Sequence, residues 1–211
     1  MKTDGIILDI DGTLWNSTDI VAGAWNEAFR SHGVTDTSVT GADLRGLFGK
    51  TMDAIAAAIF PDMAEEKRLS IMDTCTEMEE AALARDSCHI FYPGVVESIR
   101  KLADSGKKLF IVSNCQKGYI ELVMEKGGFS ACITDHLCFG DTGQGKAANM
   151  RTVVLRNHLE SPVYVGDTEG DREASEEAGV PFVFASYGFG SVTGCAAEIQ
   201  AFSNLLDIFA G

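Results

Sequence analysis

The sequence has few positively charged residues, and this limits the partners that the protein can bind. Its 17 lysines and arginines are outnumbered by 31 aspartates and glutamates, so the net charge is −14. A surface of this charge repels DNA, RNA and anionic membranes. A small anionic molecule can still bind in a locally positive pocket or through a cation. The composition therefore predicts no nucleic-acid or membrane partner, is compatible with a small anionic substrate, and allows no inference about protein partners.

The sequence also lacks the patterns of several common protein classes. None of its six cysteines forms a Cys-x-x-Cys pair, so a zinc ribbon or a thioredoxin-like site has no support. No apolar run approaches membrane-spanning length, and the first residues do not form a signal-peptide core. We therefore expect a cytoplasmic protein whose cysteines are free, mostly buried thiols.

Short apolar runs alternate with amphipathic segments along most of the chain. Buried strands are predicted at residues 6–8, 109–112, 163–165 and 181–185, with a weaker strand at 136–139. Residues 16–90 show only helical patterns. The sequence therefore predicts an α/β fold, with a Rossmann-like parallel sheet and helices on both faces formed by residues 1–15 and 91–211. Residues 16–90 would form an inserted α-helical domain, and residues 195–209 a closing amphipathic helix.

The most informative stretch is Gly-Ile-Ile-Leu-Asp-Ile-Asp-Gly-Thr, at residues 5–13. Its apolar run predicts a strand buried on both faces, and Asp9 follows at the edge where open α/β sheets bind ligands. Asp11 comes two residues later, and Gly12 permits a sharp turn. Two carboxylates this close repel unless they share a proton or a cation, and oxygen ligands favour Mg²⁺. The alternative is an ordinary Asp-Gly turn, although such a turn does not need a buried strand before it.

Three further polar groups follow later strands or loops. They are Ser113 with Asn114, Lys146, and Asp167 with Asp171. Each by itself is explained as a strand-end or helix cap, or as a surface lysine. Because the carboxyl ends of parallel strands open on one edge, we expect these groups to converge on the first motif. Together they offer carboxylates for a metal, donors for an oxyanion and a cation for charge balance.

In this order the four motifs resemble those of the haloacid dehalogenase-like superfamily, in its helical-cap branch and nearest its phosphoglycolate phosphatase-like group. The resemblance implies that Asp9 is the nucleophile that forms an aspartyl-phosphate, and that Asp11 is the general acid and base. Ser113 would hydrogen-bond the phosphoryl group, and Lys146 would steady both the nucleophile and the phosphate. The implied substrate contacts of the core are Gly12, Thr13, Ser113, Asn114 and Lys146.

The same resemblance implies a Mg²⁺ cofactor. Its ligands would be the Asp9 side chain, the Asp11 backbone carbonyl and Asp167. Asp171 would lie alongside, binding the metal directly or through water. Two segments depart from the family pattern: Ala147-Ala148-Asn149 follows the lysine where many relatives have Pro-x-Pro, and Cys115 stands where many have Lys.

The implied activity is Mg²⁺-dependent hydrolysis of a small phosphorylated metabolite, such as a phosphoglycolate-like compound, a sugar phosphate or a nucleotide monophosphate. Asp11 argues against a dehalogenase, and Thr13 favours hydrolysis over a β-phosphoglucomutase-like phosphomutase. A non-catalytic phosphate-binding regulatory protein is the other alternative, but it would not need the whole set of motifs. The inserted domain of residues 16–90 corresponds by this resemblance to the family's helical cap domain. Within it, Arg45 and Lys50 are candidate substrate contacts, or simply solvated surface residues.

Overall fold

A computed structural model describes residues 3–86 and 90–209, and it confirms the α/β class. The strands are β1 (Gly5–Leu8), β2 (Lys108–Ser113), β3 (Ile133–Cys138), β4 (Pro162–Gly166), β5 (Phe182–Ala185) and β6 (Ala197–Ile199). The first helices are α1 (Thr18–Ser31), α2 (Gly41–Arg45), α3 (Met52–Ile59) and α4 (Glu65–Arg85). The later ones are α5 (Val95–Asp104), α6 (Tyr119–Gly127), α7 (Phe139–Thr142), α8 (Lys146–Arg156), α9 (Glu169–Ala178) and α10 (Asn204–Phe209).

The chain forms two compact units. The sheet unit consists of Met1–Asn16 and Phe91–Gly211, and the helical unit consists of Ser17–Ile90. The strands given above all belong to the sheet unit, together with α5 to α10. Helices α1 to α4 make up the helical unit.

The sheet places β1 at its centre. All strand pairs are parallel, in the order β3-β2-β1-β4-β5-β6, and Gly5 of β1 pairs with Lys108 on one side and Pro162 on the other. The strand order reverses between β1 and β4, which is the switch point where open α/β sheets bind ligands. Asp9 and Asp167 directly follow these two strands, so the topology alone brings them to that crevice.

The core explains why the apolar runs form strands. All four residues of β1 are buried, as expected for a strand covered on both faces. On one face Ile7, Phe110 and Tyr164 pack in a cluster that includes Met150 and Val153 of α8. This packing fixes α8 against the sheet, and with it Lys146 at the first position of the helix.

The helical unit is organised by α1 and α4. The apolar face of α1 is buried and includes Trp25 and Phe29. The indole Nε1 of Trp25 donates a hydrogen bond to Oε2 of Glu79 in α4 at 2.8 Å, and both side chains are buried. The ring of Phe29 packs edge-on against Phe60 with centroids 5.0 Å apart. The buried glutamate is therefore satisfied by an indole donor in a largely apolar interface.

The last segment differs from its prediction. Residues 197–199 form β6, which pairs with β5 through Ala197 and Val183, and only Asn204–Phe209 are helical. Gly194 has φ +84° and turns the chain before the strand. The apolar spacing of this segment suits either structure. The open backbone edge of β5 decides for a strand, because its N–H and C=O groups need partners.

The described cysteines form no disulfide, but the expectation that they are mostly buried is wrong. Cys75 and Cys138 are buried, whereas Cys115 and Cys132 are partly exposed and Cys195 is exposed. Cys88 lies outside the described residues. Over residues 3–86 and 90–209, we find no helix with the length and apolarity to cross a membrane.

Candidate active site

Asp9 and Lys146 form a buried ion pair at the carboxyl edge of the sheet. The backbone N–H of Asp9 donates to Val165 O at 2.9 Å, which fixes Asp9 against β4. Nζ of Lys146 donates to Asp9 Oδ1 at 2.9 Å and to Asp171 Oδ1 at 2.5 Å. The three side chains are 3% exposed or less. Because a buried charge is costly without a partner, the ammonium and the two carboxylates hold one another in place.

Asp171 is oriented by the start of α9. Thr168 caps this helix: its Oγ1 accepts from the Asp171 N–H at 3.2 Å, and Asp171 Oδ2 accepts from the Thr168 N–H at 3.0 Å. The hydroxyl of Tyr164 donates to Asp171 Oδ1 at 3.1 Å. Burial acts to raise the pKa of Asp171, but Lys146 and Thr168 outweigh burial and hold the pKa below its ordinary value. Asp171 is therefore an ionised carboxylate whose main partner is Lys146.

Asp167 is enclosed by two loops. Its Oδ2 accepts from the Phe189 N–H at 2.7 Å, and its Oδ1 accepts from Thr13 Oγ1 at 3.4 Å. A Cβ at Gly188 would overlap the Asp167 side chain. Sequence reasoning missed this loop after β5. The pair of glycines in Gly188-Phe-Gly190, just beyond a predicted strand, was the available signal of a close backbone approach.

The first motif turns sharply at Gly12. This residue has φ +85°, and a Cβ there would overlap the carboxylate of Asp167. Glycine is therefore required for both conformation and space. Thr13 is fully buried, and its carbonyl accepts from the Tyr187 hydroxyl at 2.8 Å. Gly12 and Thr13 shape the site, while their contact with substrate stays a prediction.

The turn gives Asp11 different partners from Asp9. Oδ1 of Asp11 accepts hydrogen bonds from Trp15 Nε1 at 3.0 Å and from the Tyr119 hydroxyl at 2.9 Å. Among the described residues, a possible metal-binding group of carboxylates comprises Asp9, Asp167 and Asp171, with one oxygen of each within 4.8 Å of the others. The Asp11 side chain is not in this group, and a cation shared by the Asp9 and Asp11 carboxylates stays a prediction. Ligation by the Asp11 backbone carbonyl stays a prediction.

The electrostatics of this group show an excess of negative charge. Burial raises the pKa of Asp9 to about 7, with a contribution from Asp171 and against the opposing effect of Lys146. Burial and the charges of Asp171 and Asp9 raise the pKa of Asp167 to about 8. Burial acts to lower the pKa of Lys146, but Asp171 and Asp9 outweigh it and raise the pKa, so the ammonium stays charged. Three carboxylates and one ammonium leave negative charge that a cation can neutralise. An all-oxygen donor set suits a hard divalent metal.

The loop before Lys146 is held in place by Asn149, which lies in the segment where many relatives have Pro-x-Pro. Asn149 is 1% exposed, its Nδ2 donates to Gln144 O at 3.0 Å, and its Oδ1 accepts from Thr142 Oγ1 at 2.8 Å. The amide thus ties the loop to the first turn of α8. This departure from the family pattern leaves the buried position of Lys146 intact.

The remaining predicted residues lie in two places. Ser113 ends β2 and is buried, and Asn114 follows it. Arg45 ends α2, Lys50 follows shortly after, and both are exposed on the helical unit. Substrate contact by these residues stays a prediction.

Comparison with known families identifies the protein class. Residues 6–185 match the model of the haloacid dehalogenase-like hydrolases, and this range contains all four motifs. The chain belongs to this family. The match confirms the resemblance inferred from the motifs, and it supports an enzyme rather than a binding protein.

Individual relatives agree with the family match. Phosphoglycolate phosphatase of Vibrio vulnificus (strain CMCP6) is 27% identical, with 96% of this chain and 94% of that protein covered. Among solved structures, a predicted phosphoglycolate phosphatase from Haemophilus somnus has a TM-score of 0.83 at 20% identity, covering 97% of both chains. CbbY from Rhodobacter sphaeroides, in complex with xylulose-(1,5)bisphosphate, has a TM-score of 0.82 at 19% identity and covers 96% of both chains. The two structural similarities confirm the Rossmann-like fold with its helical insertion.

Proposed function

We propose that this protein is a cytoplasmic, Mg²⁺-dependent phosphatase that hydrolyses a small phosphorylated metabolite through an aspartyl-phosphate on Asp9. The observation that carries the proposal is the Lys146 ammonium held between Asp9 and Asp171 at the switch point of the sheet. A buried cation in contact with the nucleophile offsets the repulsion between a carboxylate and a phosphate dianion. The names of the curated relatives support a phosphate monoester as the substrate.

Mg²⁺ fits the residues of the site. Asp9, Asp167 and the backbone carbonyl of Asp11 would hold it, because the excess negative charge and oxygen donors suit this ion. When bound, Mg²⁺ supplies positive charge that stabilises the phosphoryl oxygens during transfer. Asp171 already accepts hydrogen bonds from Lys146, Tyr164 and Thr168. These bonds favour an indirect role of Asp171 in the metal site, through Lys146 or through a water molecule.

The first half of the reaction transfers the phosphoryl group to Asp9. A carboxylate oxygen of Asp9 attacks phosphorus while the bond between phosphorus and the leaving oxygen breaks. Asp11 gives its proton to that oxygen, so an alcohol departs. Ser113, Asn114 and Lys146 bind the phosphoryl oxygens and keep the three reacting atoms in line.

The second half releases phosphate. Asp11, now a carboxylate, takes a proton from a water molecule whose oxygen attacks the phosphorus of the aspartyl-phosphate. The bond between phosphorus and the Asp9 oxygen breaks, and inorganic phosphate leaves. The covalent intermediate divides one difficult displacement into two easier ones, and Asp11 serves as acid in the first and base in the second.

The division into domains belongs to the same proposal. Residues 1–15 and 91–211 would form the catalytic core, and residues 16–90 the cap that selects the substrate. Arg45 and Lys50 are the candidate contacts of the cap with a second charged group of the substrate. A panel of phosphoglycolate, sugar phosphates and nucleotide monophosphates identifies the substrate by the highest kcat/KM.

The decisive test replaces the nucleophile. Asp9→Asn keeps the shape of the side chain but removes the attacking carboxylate, so kcat for 4-nitrophenyl phosphate with Mg²⁺ should fall by roughly 10³-fold or more. Asp104→Asn is the matched control, because Asp104 is an exposed aspartate at the end of α5. Chelation of Mg²⁺ by EDTA should abolish wild-type turnover. Asp9→Asn turnover near that of the control would refute the covalent mechanism.

A further inference from the structure

Two aromatic side chains donate hydrogen bonds to the same oxygen of Asp11. Trp15 Nε1 lies 3.0 Å from Asp11 Oδ1, and the Tyr119 hydroxyl lies 2.9 Å from it. None of the four sequence motifs contains either aromatic residue. Both donors meet one oxygen, so they restrain the rotation of the carboxylate as well as its position.

The indole of Trp15 is held rigidly by its surroundings. Its side chain is fully buried, and the loop from Asp11 is closed by the Gly12 N–H donating to Trp15 O at 2.9 Å. The Trp15 ring lies 5.4 Å from the Phe91 ring and 5.6 Å, edge-on, from the Tyr119 ring. A fully packed indole keeps its N–H in one direction, so the donor to Asp11 is preorganised.

Tyr119 reaches Asp11 from a different part of the sheet unit. It is the first residue of α6 and is 2% exposed. Gly118 before it has φ +92°, which sets the direction in which the helix starts. The Asp11 carboxylate is thus held between its own loop and the helix that follows β2. This pair of hydrogen bonds requires the folded sheet unit, since Tyr119 lies 108 positions after Asp11 in the sequence.

We propose that Trp15 and Tyr119 are positioning residues that hold Asp11 by Oδ1, so that its other oxygen carries the proton given to the leaving group. The inference rests on the proposed function of Asp11 as general acid and base. Neither aromatic residue is placed against substrate; both act through Asp11. When one donor is lost, the Asp11 carboxyl group is still present, but its orientation toward the leaving group is less well fixed.

This role predicts a dependence on the leaving group. The nitrophenolate of 4-nitrophenyl phosphate departs readily without a proton, whereas the alkoxide of a primary alkyl phosphate such as phosphoglycolate does not. General acid catalysis contributes about 10²–10⁴-fold where it is needed. A misdirected acid therefore slows formation of the aspartyl-phosphate from the alkyl ester much more than from the aryl ester.

The test is Tyr119→Phe, which removes the donor but keeps the ring that packs against Trp15. We expect kcat/KM for phosphoglycolate, which reports formation of the aspartyl-phosphate, to fall about tenfold, and kcat/KM for 4-nitrophenyl phosphate to change less than about twofold, since one of the two hydrogen bonds that orient Asp11 is lost. Activity on the aryl ester also shows that the variant is folded. Tyr187→Phe is the matched control, because its hydroxyl donates to the Thr13 carbonyl and not to Asp11; it should affect both esters equally.

Asp11→Asn separates this inference from the proposed function. It should lower kcat/KM more for phosphoglycolate than for the aryl ester, and adding Tyr119→Phe should cause no further selective loss of kcat/KM. If Asp11→Asn is selective but Tyr119→Phe lowers kcat/KM equally for both esters or for neither, the positioning role is overturned and the proposed mechanism stands. If Asp11→Asn itself is not selective, or the wild type hydrolyses neither ester, both the mechanism and the inference are overturned.

Discussion

At the scale of single residues, the site depends on the balance between Lys146 and three carboxylates. The ammonium contacts Asp9 and Asp171 directly, whereas Asp167 is held by the Phe189 N–H and by Thr13. The pKa of Asp167 is raised to about 8 by burial and by the charges of Asp171 and Asp9. Of the three carboxylates, Asp167 is therefore the one with the most to gain from a bound cation.

Asp167→Asn should weaken Mg²⁺ activation strongly. The amide keeps an oxygen for the Phe189 N–H but removes a negative ligand, so the Mg²⁺ concentration for half-maximal activity should rise by more than about tenfold, the lower bound for losing even an indirect partner of a metal. A Mg²⁺ titration of 4-nitrophenyl phosphate hydrolysis measures this, with Asp104→Asn as the control. An unchanged titration would show that Asp167 is not a metal ligand.

At the scale of elements, helices α9 and α2 both begin with a capping box, but only the capping box of α9 also contacts the candidate site. Thr168 and Asp171 form a capping box at α9, and Thr40 and Asp43 form one at α2. The side chain of Asp171 also holds Lys146, whereas the side chain of Asp43 accepts from the backbone and hydroxyl of Thr40. The cap of α9 is therefore part of the site as well as a helix start.

Thr168→Val and Thr40→Val form a matched pair of variants. Each removes a cap hydroxyl while keeping the branched shape, and for α9 the loss of stability is about 1 kcal/mol. Thr168→Val should also lower kcat for 4-nitrophenyl phosphate by roughly tenfold, because Asp171 is less well oriented toward Lys146. Thr40→Val should leave this activity within about twofold of wild type. Equal kcat values for the two variants would show that the α9 capping box stabilises the helix but does not contribute to catalysis.

At the scale of the whole molecule, the buried carboxylates of the site lower the free energy of unfolding once they ionise. A carboxyl group whose pKa is higher in the folded than in the unfolded chain makes folding less favourable once it ionises. The pKa of Asp9 is raised to about 7 and that of Asp167 to about 8, from an ordinary value of 3.8. The folded protein therefore binds more protons than the unfolded chain between about pH 4 and pH 8, and its stability falls as the pH rises through this range. A bound divalent cation offsets the loss.

Thermal unfolding at pH 5.5 and pH 8.5, with EDTA or with Mg²⁺, measures this coupling. With EDTA the Tm should be lower at pH 8.5, and Mg²⁺ should raise it by at least about 3 °C there, corresponding to roughly 1 kcal/mol in a chain of this size. At pH 5.5 the Mg²⁺ effect should be smaller, because protons compete for the same carboxylates. Asp167→Asn should reduce both the pH dependence and the Mg²⁺ effect. A Mg²⁺ effect independent of pH would contradict the argument.

Much of the architecture follows from local pattern. The residues after β1 and β4 are predictable because a continuous apolar run makes a buried strand, and parallel strands end on one edge. The helical character of residues 16–90 is equally local. The segment from 195 to 209 was not predictable, because its apolar spacing suits a helix and a strand alike. Backbone pairing with the open edge of β5 determines that residues 197–199 form a strand.

The sequence by itself determined the family, the order of the motifs and the choice of Asp9, Asp11, Lys146 and Asp167 as candidate site residues, because these depend on residue type and spacing along the chain. Only the tertiary structure decided which side chains meet. It gave the Asp11 carboxylate hydrogen-bond donors of its own, Trp15 and Tyr119, and it brought Tyr119 to Asp11 across the sheet unit. The physical reason is that such contacts depend on strand order, loop closure and packing between residues distant in sequence, on which local periodicity carries no information.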